Sequence, residues 1–388
     1  MSFHEALKRD AIDKLEPRLR ALYDSLCRKG IDLAEFEESA IRTAGFYEGQ
    51  ANVNDEIVVT TMTKIEWAIE PAWAAGPEWP VVQQAAPTKI AAGPRPKGTD
   101  DGHRRIVVFP DPQIGYWRNL DTGDLTPMHD EAAIDCALAI AKAVRPDQIV
   151  NLGDFLDLAE FSSKFAVHPE FVHTTQASVD YGHQLLARQR AILGTDGALA
   201  LLAGNHDDRL GKCILQNARA ALRLRRADDP DSWPVMSVPY VLRVDDLDCL
   251  YVDGYPAGSL KLADGTAQQT PLYAVHERGL DVAKVAKAQR QSYLQGHMHR
   301  VAMHSETYEL DGQRIDVEAW SLGSLCRNDG AVPSTKGSPS ERGVPVRRIE
   351  SWQQAVGVVT VAPDGGWSVE AVRIRDGAGM FRGKEYRA

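Results

Sequence analysis

The chain has 388 residues, of which 44% are hydrophobic and 25% are charged, as in an ordinary globular protein. A formal net charge of −10 excludes a surface coated with basic residues for non-specific nucleic-acid binding, although it allows a local basic groove. The five cysteines form no CxxC pair, which argues against a disulfide framework and predicts a cytoplasmic protein. We find neither a signal-peptide core nor an apolar run of about 18 residues, so no membrane is expected as a partner.

The first 102 residues are predicted to lie outside the main domain. Apolar residues at helical spacing, such as Leu7, Ile12 and Leu15, predict a helical module over residues 1–50. Two roles stay open for this module: binding of DNA or a partner, or oligomerisation. Residues 51–102 are predicted to form an extended arm and a linker rich in Ala and Pro. The oligomeric state is not predicted.

Residues 103–376 alternate between predicted strands and predicted helices, the pattern of a layered α/β domain. The runs "RIVVF", "DQIVNL", "ALALLA", "PLYAVH" and "SYLQGH" are apolar throughout, which is typical of strands in sheets covered on both faces. Helices are predicted over 130–144, 176–193 and 279–291. A hairpin turning at Asp364, Gly365 and Gly366 closes the domain, and residues 377–388 are predicted to be a C-terminal tail.

Polar residues follow five of these strands where each strand ends. The loops read "PDPQ" (110–113), "GDFLD" (153–157), "GNHD" (204–207), "VH" (275–276) and "GHMH" (296–299). Because ligands bind at the carboxyl ends of strands in open α/β sheets, we expect these side chains to converge. Mixed carboxylate, amide and imidazole ligands suit Mn²⁺, Fe, Zn²⁺ or Mg²⁺. They are too many for one tetrahedral ion, which predicts two ions sharing a carboxylate.

In their order and spacing these loops resemble the motifs of calcineurin-like metallophosphoesterases, which run DxH, GDxxD, GNH(D/E), a lone His and GHxH. "GDFLD", "GNHD" and "GHMH" match fully. The resemblance implies a four-layer α/β/β/α fold, in which helices flank a β-sandwich, and an enzyme that hydrolyses phosphate esters. A helical head, a linker and this version of the motifs also resemble phage or prophage members of the family.

The resemblance also implies a role for each site residue. One metal ion would be held by Asp111, Asp154 and His299, and the second by Asp154, Asn205, His276 and His297. His206 is the expected general acid, and Asp157 is expected to orient it. A hydroxide bridging the two ions would attack phosphorus.

Gln113 departs from the family, which usually has a His at this position. A Gln ligates through its carbonyl oxygen, a harder and weaker ligand than imidazole, so we predict a weaker first ion or a preference for Mn²⁺ or Mg²⁺ over Zn²⁺. Alternatively, Gln113 only hydrogen-bonds a metal-bound water. The expected cofactors are two divalent ions, manganese first, with Mg²⁺, Fe, Zn²⁺ and Ni²⁺ as alternatives.

Residues 209–226 carry six basic residues and no acidic one. If helical, this stretch lays a basic face beside the metal loops, which favours DNA or RNA as substrate and hence a phosphodiesterase or nuclease. A solvated helix face is the plain alternative. Arg209 and Lys212 are candidates for binding the substrate phosphate. The long loop 327–348 is a candidate lid or strand guide.

Two other functions stay open at this point. One is a phosphomonoesterase that acts on proteins or small molecules. The other is a non-catalytic nucleic-acid-binding protein that retains the fold.

Overall fold

The computed structural model describes residues 12–14, 20, 23–24, 41–53, 56–67, 101–163, 169–332 and 351–388. Contacts divide the chain into two compact units, residues 1–83 and 84–388. The first unit contains an antiparallel hairpin of β1 (Ile41–Val53) and β2 (Glu56–Trp67). The prediction of a helix over 41–50 is wrong, because these residues belong to strand β1. They pair with β2, whose many Val, Ile and Thr residues favour a strand. Most of the predicted helical module and of the predicted linker lies outside the described residues.

The second unit contains two mixed β-sheets. The strands of the larger sheet are β3 (Arg104–Phe109), β6 (Gln148–Asn151), β7 (Ala198–Leu202), β8 (Cys249–Val252), β14 (Gln354–Val361), β15 (Trp367–Arg375), β16 (Ala378–Phe381) and β17 (Lys384–Arg387). Within it, β3, β6, β7 and β8 are parallel, and β14 pairs antiparallel with β3. The strands of the smaller sheet are β9 (Ser259–Ala263), β10 (Leu272–Val275), β11 (Ser292–Gln295), β12 (Val301–Leu310) and β13 (Gln313–Leu322). A short separate pair consists of β4 (Tyr116–Arg118) and β5 (Leu125–Pro127).

Five α-helices lie within the described part of this unit. They are α1 (Glu131–Val144), α2 (Thr175–Leu193), α3 (Asp208–Asn217), α4 (Val238–Val241) and α5 (Val282–Gln289). The predicted cap of α1 is confirmed, because the Asp130 side chain accepts a hydrogen bond from the backbone N–H of Ala133 at 3.0 Å. No helix in the described ranges has both the length and the apolar character needed to cross a membrane. The predicted α/β class is confirmed.

Apolar side chains pack on both faces of the larger sheet. One cluster joins the two sheets, with Val108 and Leu202 of the larger sheet against Leu272 and Leu294 of the smaller one. A second cluster packs α1 and α2 on the opposite face of the larger sheet. A third packs α5 on the smaller sheet. The uniformly apolar strands of the sequence are therefore explained, since both of their faces are covered.

The predicted C-terminal tail is instead two further strands of the larger sheet, β16 and β17. Two-residue turns at Asp376–Gly377 and Arg382–Gly383 join β15, β16 and β17, and all four turn residues have positive φ. Turns of this kind match the twist of antiparallel strands, which is why a short polar segment stays in the sheet. The sequence signal was the Gly in each turn.

The basic stretch 209–226 is not one helix. The helix α3 ends at Asn217, and Arg219–Ala221 forms a separate 3₁₀ turn. The residues from Leu222 onward are irregular, with Arg223 at φ 61°. The expected continuous basic face is therefore absent from this described segment, and its cations are distributed over a helix, a turn and a loop.

His129 is fully buried between the rings of Tyr116 and Tyr181, at centroid distances of 5.1 and 4.2 Å. Burial lowers the pKa of His129 to about 4. Because an unfolded histidine titrates near 6.5, the unfolded chain binds the extra proton between these values, so stability falls as the pH drops through this window. We expect this residue to remove up to about 3 kcal/mol of unfolding free energy between pH 6.5 and pH 4. Urea unfolding across that range should show a flatter pH dependence for His129→Phe than for the native chain, and equal slopes would contradict this account.

Candidate metal centre

The predicted ligands lie at the carboxyl ends of parallel strands in both sheets. Asp111 follows β3, Asp154 follows β6 and Asn205 follows β7 in the larger sheet. In the smaller sheet, His276 follows β10 directly, and the two histidines of "GHMH" follow β11. Since the two sheets pack face to face, these strand ends meet at one place. The strand-end positions that the sequence predicts for all five loops are confirmed.

Two groups of side chains at this place have the composition and spacing of metal sites. One consists of Asp111, Asp154 and His299, and the other of Asp154, His276 and His297. Within each group the ligand atoms lie within 4.8 Å of one another. Asp154 belongs to both groups, as expected of a shared carboxylate. All of these residues are buried except His297, which is half-buried.

In the second group, three acceptor atoms face one another. The Nδ1 atom of His276 lies 2.9 Å from the carbonyl oxygen of Leu152, to which it donates, so a neutral His276 presents the lone pair of Nε2 to the site. That Nε2 lies 3.0 Å from Oδ1 of Asn205 and 3.3 Å from Oδ1 of Asp154. Acceptors this close repel one another unless a proton or a cation lies between them. The arrangement therefore fits a bound cation.

The same Oδ1 of Asn205 also lies 2.7 Å from Nδ1 of His297. This brings the amide oxygen next to the second group, at the place that the motif resemblance implies for it. All four residues assigned to the second ion therefore meet around one point.

The first group contains polar atoms that the described protein leaves unsatisfied. Oδ2 of Asp111 and Oε1 of Gln113 are buried and have no hydrogen-bond partner among the described residues. The Nε2 atom of His299 lies 3.2 Å from Nε2 of Gln113 and 3.7 Å from Oδ1 of Asp111. Buried orphan oxygens are costly, and a divalent cation is one group that satisfies two of them at once. Gln113 therefore lies beside this group, with its amide nitrogen 3.2 Å from His299 and its carbonyl oxygen buried without a partner among the described residues.

Positive φ is frequent among these ligands. Five of the seven predicted ligands have positive φ: Asp111 (37°), Gln113 (44°), Asp154 (45°), His297 (61°) and His299 (53°). Each such residue costs on the order of 1–3 kcal/mol and persists only where surrounding structure enforces it. Strain of this kind clusters at functional sites, and its coincidence with the ligand set is independent of the motif argument.

Two glycines allow the loops to approach closely. A Cβ atom added at Gly204 would overlap the backbone nitrogen of Asp154, and one added at Gly296 would overlap the carboxylate of Asp111. Any other residue at these positions would push the ligand loops apart. This accounts for the glycine that precedes Asn205 and the one that precedes His297.

In the protein alone, burial and neighbouring charges shift the pKa values of several of these residues. Burial, together with the neighbouring Asp154 carboxylate, raises the pKa of Asp111 well above its usual range. Burial also opposes ionisation of Asp154, but the charges of His206 and His276 outweigh it and lower the pKa of this carboxyl. Burial opposes protonation of His276, yet the carboxylates of Asp154 and Asp111 raise its pKa. A bound cation would stabilise both carboxylates and displace the proton of His276.

His206 and Asp157 form the predicted pair beside the two groups. Nδ1 of His206 lies 2.9 Å from Oδ1 of Asp157, and Nε2 lies 3.8 Å from Oδ2 of Asp154. The backbone N–H of His206 donates to Oδ1 of Asp154 at 2.8 Å, which fixes the loop against the shared carboxylate. The imidazole is thus held beside the two potential metal sites, with Nδ1 towards Asp157.

The two candidates for phosphate binding occupy different places. Arg209 is buried: its Nη1 donates to the carbonyl oxygen of Asp157 at 2.7 Å, and its Nη2 lies 2.8 Å from Nε2 of His206. Lys212 is exposed one turn further along α3, where its Nζ pairs with Asp208 at 2.7 Å. Only Arg209 therefore contacts the site residues. The loop 327–348 is described only to residue 332, so its predicted role as a lid concerns residues outside the described ranges.

Two residues to which sequence reasoning gave no role also hold the site. The buried carboxylate of Asp207 accepts backbone N–H groups from Gly204, Phe155 and Leu156 at 2.9–3.3 Å, so it fastens "GNHD" to "GDFLD". Burial and the charge of Asp154 raise the pKa of Asp207 to about 6. Its place as the last residue of "GNHD" was the available signal.

Glu277 is the other residue that the sequence did not point to. Its Oε1 lies 3.5 Å from Nε2 of His297, the ring nitrogen opposite the one that faces Asn205. Its Oε2 accepts a hydrogen bond from the hydroxyl of Tyr255 at 2.6 Å. A carboxylate on the far nitrogen fixes the tautomer and the orientation of a ligand histidine. The only sequence signal was its position next to His276.

Comparison of the chain with models of protein families and with curated proteins gives no match.

Proposed function

We propose that the protein is a metal-dependent phosphoesterase that hydrolyses phosphate esters, and phosphodiesters of nucleic acid above all. One observation carries the proposal: two potential metal sites share Asp154, and a His206–Asp157 pair lies 3.8 Å from that carboxylate. Paired cations beside a proton donor suit displacement at phosphorus better than other reaction classes. The motif resemblance to calcineurin-like metallophosphoesterases points the same way. The apolar clusters on both faces of the larger sheet and under α5 support the four-layer α/β/β/α arrangement.

The donor set fits two divalent ions. Asp111, Asp154, His299 and Oε1 of Gln113 would hold the first, and Asp154, Asn205, His276 and His297 would hold the second. Bound there, divalent ions supply charge neutralisation at the phosphoryl oxygens and an acidified water as nucleophile. The oxygen-rich first group favours Mn²⁺ or Mg²⁺, because amide and carboxylate oxygens are hard ligands.

His206 is the proton donor for the leaving oxygen in this proposal. Its Nδ1 is engaged by Asp157, so the proton for the leaving group must come from Nε2. Asp157 then stabilises the imidazolium form, because its carboxylate is buried against the same ring. The pair thus orients the acid and sets which nitrogen reacts.

Arg209 controls access to that nitrogen. Its Nη2 lies 2.8 Å from Nε2 of His206 and donates to it in the free protein, so His206 must take up a proton at Nε2 before it can act as the acid. A phosphoryl oxygen that draws the guanidinium away from His206 would leave Nε2 free to hold that proton. Arg209 therefore holds the acid in place and contacts the substrate phosphate once it arrives.

A matrix of metals and substrates tests the proposal. Metal-free protein is supplied with Mn²⁺, Mg²⁺, Zn²⁺ or Ni²⁺ and assayed on single-stranded DNA, a bis-aryl phosphate and a mono-aryl phosphate. We expect hydrolysis with Mn²⁺, and faster turnover of the diesters than of the monoester. A preference for the monoester would indicate a phosphomonoesterase. If the protein bound DNA but hydrolysed no substrate with any of the four metals, the proposal that it is an enzyme would be wrong.

Gln113→His should strengthen the first metal site. Histidine tolerates the positive φ of this position, and imidazole is a softer, stronger ligand than an amide oxygen. We expect the affinity for the weaker ion to rise about tenfold, with Zn²⁺ gaining most. Calorimetric titration of metal-free protein measures this, with Gln268→His, at an exposed position, as the matched control. Unchanged stoichiometry and metal preference would show that Gln113 does not ligate.

A further inference from the structure

A cavity of about 570 Å³ adjoins the metal centre in the second unit. It lies between α3, the irregular segment that follows α3, and the residues after β8. Tyr255 lines it, with its ring centroid 5.7 Å from that of His276 and its hydroxyl bonded to Glu277. The volume is in the range of small-molecule sites. The ring of Tyr255 would therefore lie between a ligand in this cavity and His276, one of the residues assigned to the second ion.

The walls of the cavity are aromatic and apolar. Trp233 and Tyr251 both line it and contact each other edge to face, with ring centroids 5.6 Å apart. Leu215 (50% exposed), Leu222 (40%) and Met236 (44%) also line it. Exposed apolar side chains that form one patch mark binding surfaces, whereas those scattered singly over a surface do not. The grouping of these residues around one cavity therefore indicates a binding site.

The cations of the broken basic stretch also lie around this cavity. Arg223 and Arg225 line it together with Lys212. Three acidic residues also line the cavity: Asp208 is paired with Lys212, the carboxylate of Asp207 is occupied by backbone N–H groups, and that of Asp253 accepts the N–H of Gly254 at 2.7 Å. This leaves Arg223 and Arg225 as the positive groups of the lining that are not paired with Asp208. Flat apolar walls beside arginines suit a planar base carried on a charged backbone.

We propose that this cavity binds the nucleoside of a nucleic-acid phosphodiester whose phosphate lies at the metal centre. The position of the phosphate rests on the proposed function, whereas the binding of the nucleoside does not. The base stacks on the aromatic wall, and the next phosphate along the strand contacts Arg223. A phosphoserine or phosphothreonine side chain has no planar group for this wall, and a simple aryl monoester has no second phosphate for the arginines.

Two activated diesters test the proposal: thymidine 3′-phosphate 5′-(4-nitrophenyl phosphate), which carries a second phosphate for Arg223, and bis(4-nitrophenyl) phosphate. For the native protein with Mn²⁺, we expect kcat/KM to be about tenfold higher on the thymidine ester. Arg223→Glu should lower that ratio by about tenfold. Arg382→Glu is the matched control, because Arg382 is also an exposed arginine at positive φ but lies in the β16–β17 turn. Circular dichroism checks that both variants are folded.

Binding of thymidine 3′,5′-bisphosphate to metal-free protein, measured by calorimetry, separates the two proposals. If Arg223→Glu weakened nucleotide binding about tenfold and the protein hydrolysed neither diester, nucleoside binding in the cavity would be supported. The proposed phosphoesterase function would then be wrong. Hydrolysis of both diesters at equal kcat/KM, or nucleotide binding that Arg223→Glu leaves unchanged, would overturn the cavity and leave the phosphoesterase standing.

Discussion

Asp154→Asn is expected to abolish binding of both metal ions and to lower kcat/KM by about 10³-fold or more. Asp154 is the residue common to the two potential metal sites, so one substitution weakens both. An Asn side chain has the same shape and keeps an oxygen for the backbone N–H of His206, which Asp154 now accepts at 2.8 Å. It removes the negative charge that draws two cations into a buried place. Metal content by plasma mass spectrometry, and activity on a bis-aryl phosphate, measure the two losses.

The matched control is Asp281→Asn. Asp281 caps α5 by accepting the N–H of Lys284 at 3.0 Å, away from the site, and Asn caps helices equally well. This control removes the same charge by the same isosteric change and should retain both ions and full activity. If Asp154→Asn bound two ions per chain as the native protein does, the shared-carboxylate centre would be wrong.

The positions of the site residues could be predicted because the ends of the strands can be located from the sequence. Runs such as "RIVVF" and "DQIVNL" are apolar on both faces, so their ends are sharp, and β3 and β6 begin and end within one residue of them. The Asp111 and Asp154 loops follow directly. Helix α1 could also be predicted, because Asp130 caps it and its apolar residues recur at helical spacing.

The parts that were missed depend on contacts distant in sequence. Strand β12 alternates exposed and half-buried residues and is held by β13 along its whole length, so its own residues give a weak signal. The roles of Glu277 and Arg209 come from partners 20 and 52 residues away, His297 and Asp157. Backbone strain at Asp111 and His299 is imposed by surrounding structure and leaves no trace in a single sequence.

His206→Asn is expected to retain both metal ions and to lose about 10²–10⁴-fold in kcat on diesters with poor leaving groups. The side chain of His206 lies outside both ligand groups, so its removal leaves the ligands in place. A poor leaving group needs a proton as its bond to phosphorus breaks, and Asn cannot supply one. A 4-nitrophenolate leaves readily without a proton, so activity on bis(4-nitrophenyl) phosphate should fall less than about tenfold.

The comparison between leaving groups is what identifies the acid. His304→Asn provides the control, because His304 lies on β12 and contacts Glu306 at 3.2 Å, apart from the metal centre. Equal losses on alkyl and aryl diesters in His206→Asn would show that His206 positions the substrate or the loop. In that case the hydrogen bond between His206 and Asp157 would hold the "GNHD" loop against the "GDFLD" loop. Asp207 already joins these two loops by accepting three backbone N–H groups. Because the loop has this second fastening, loss of His206 should affect proton transfer much more than structure.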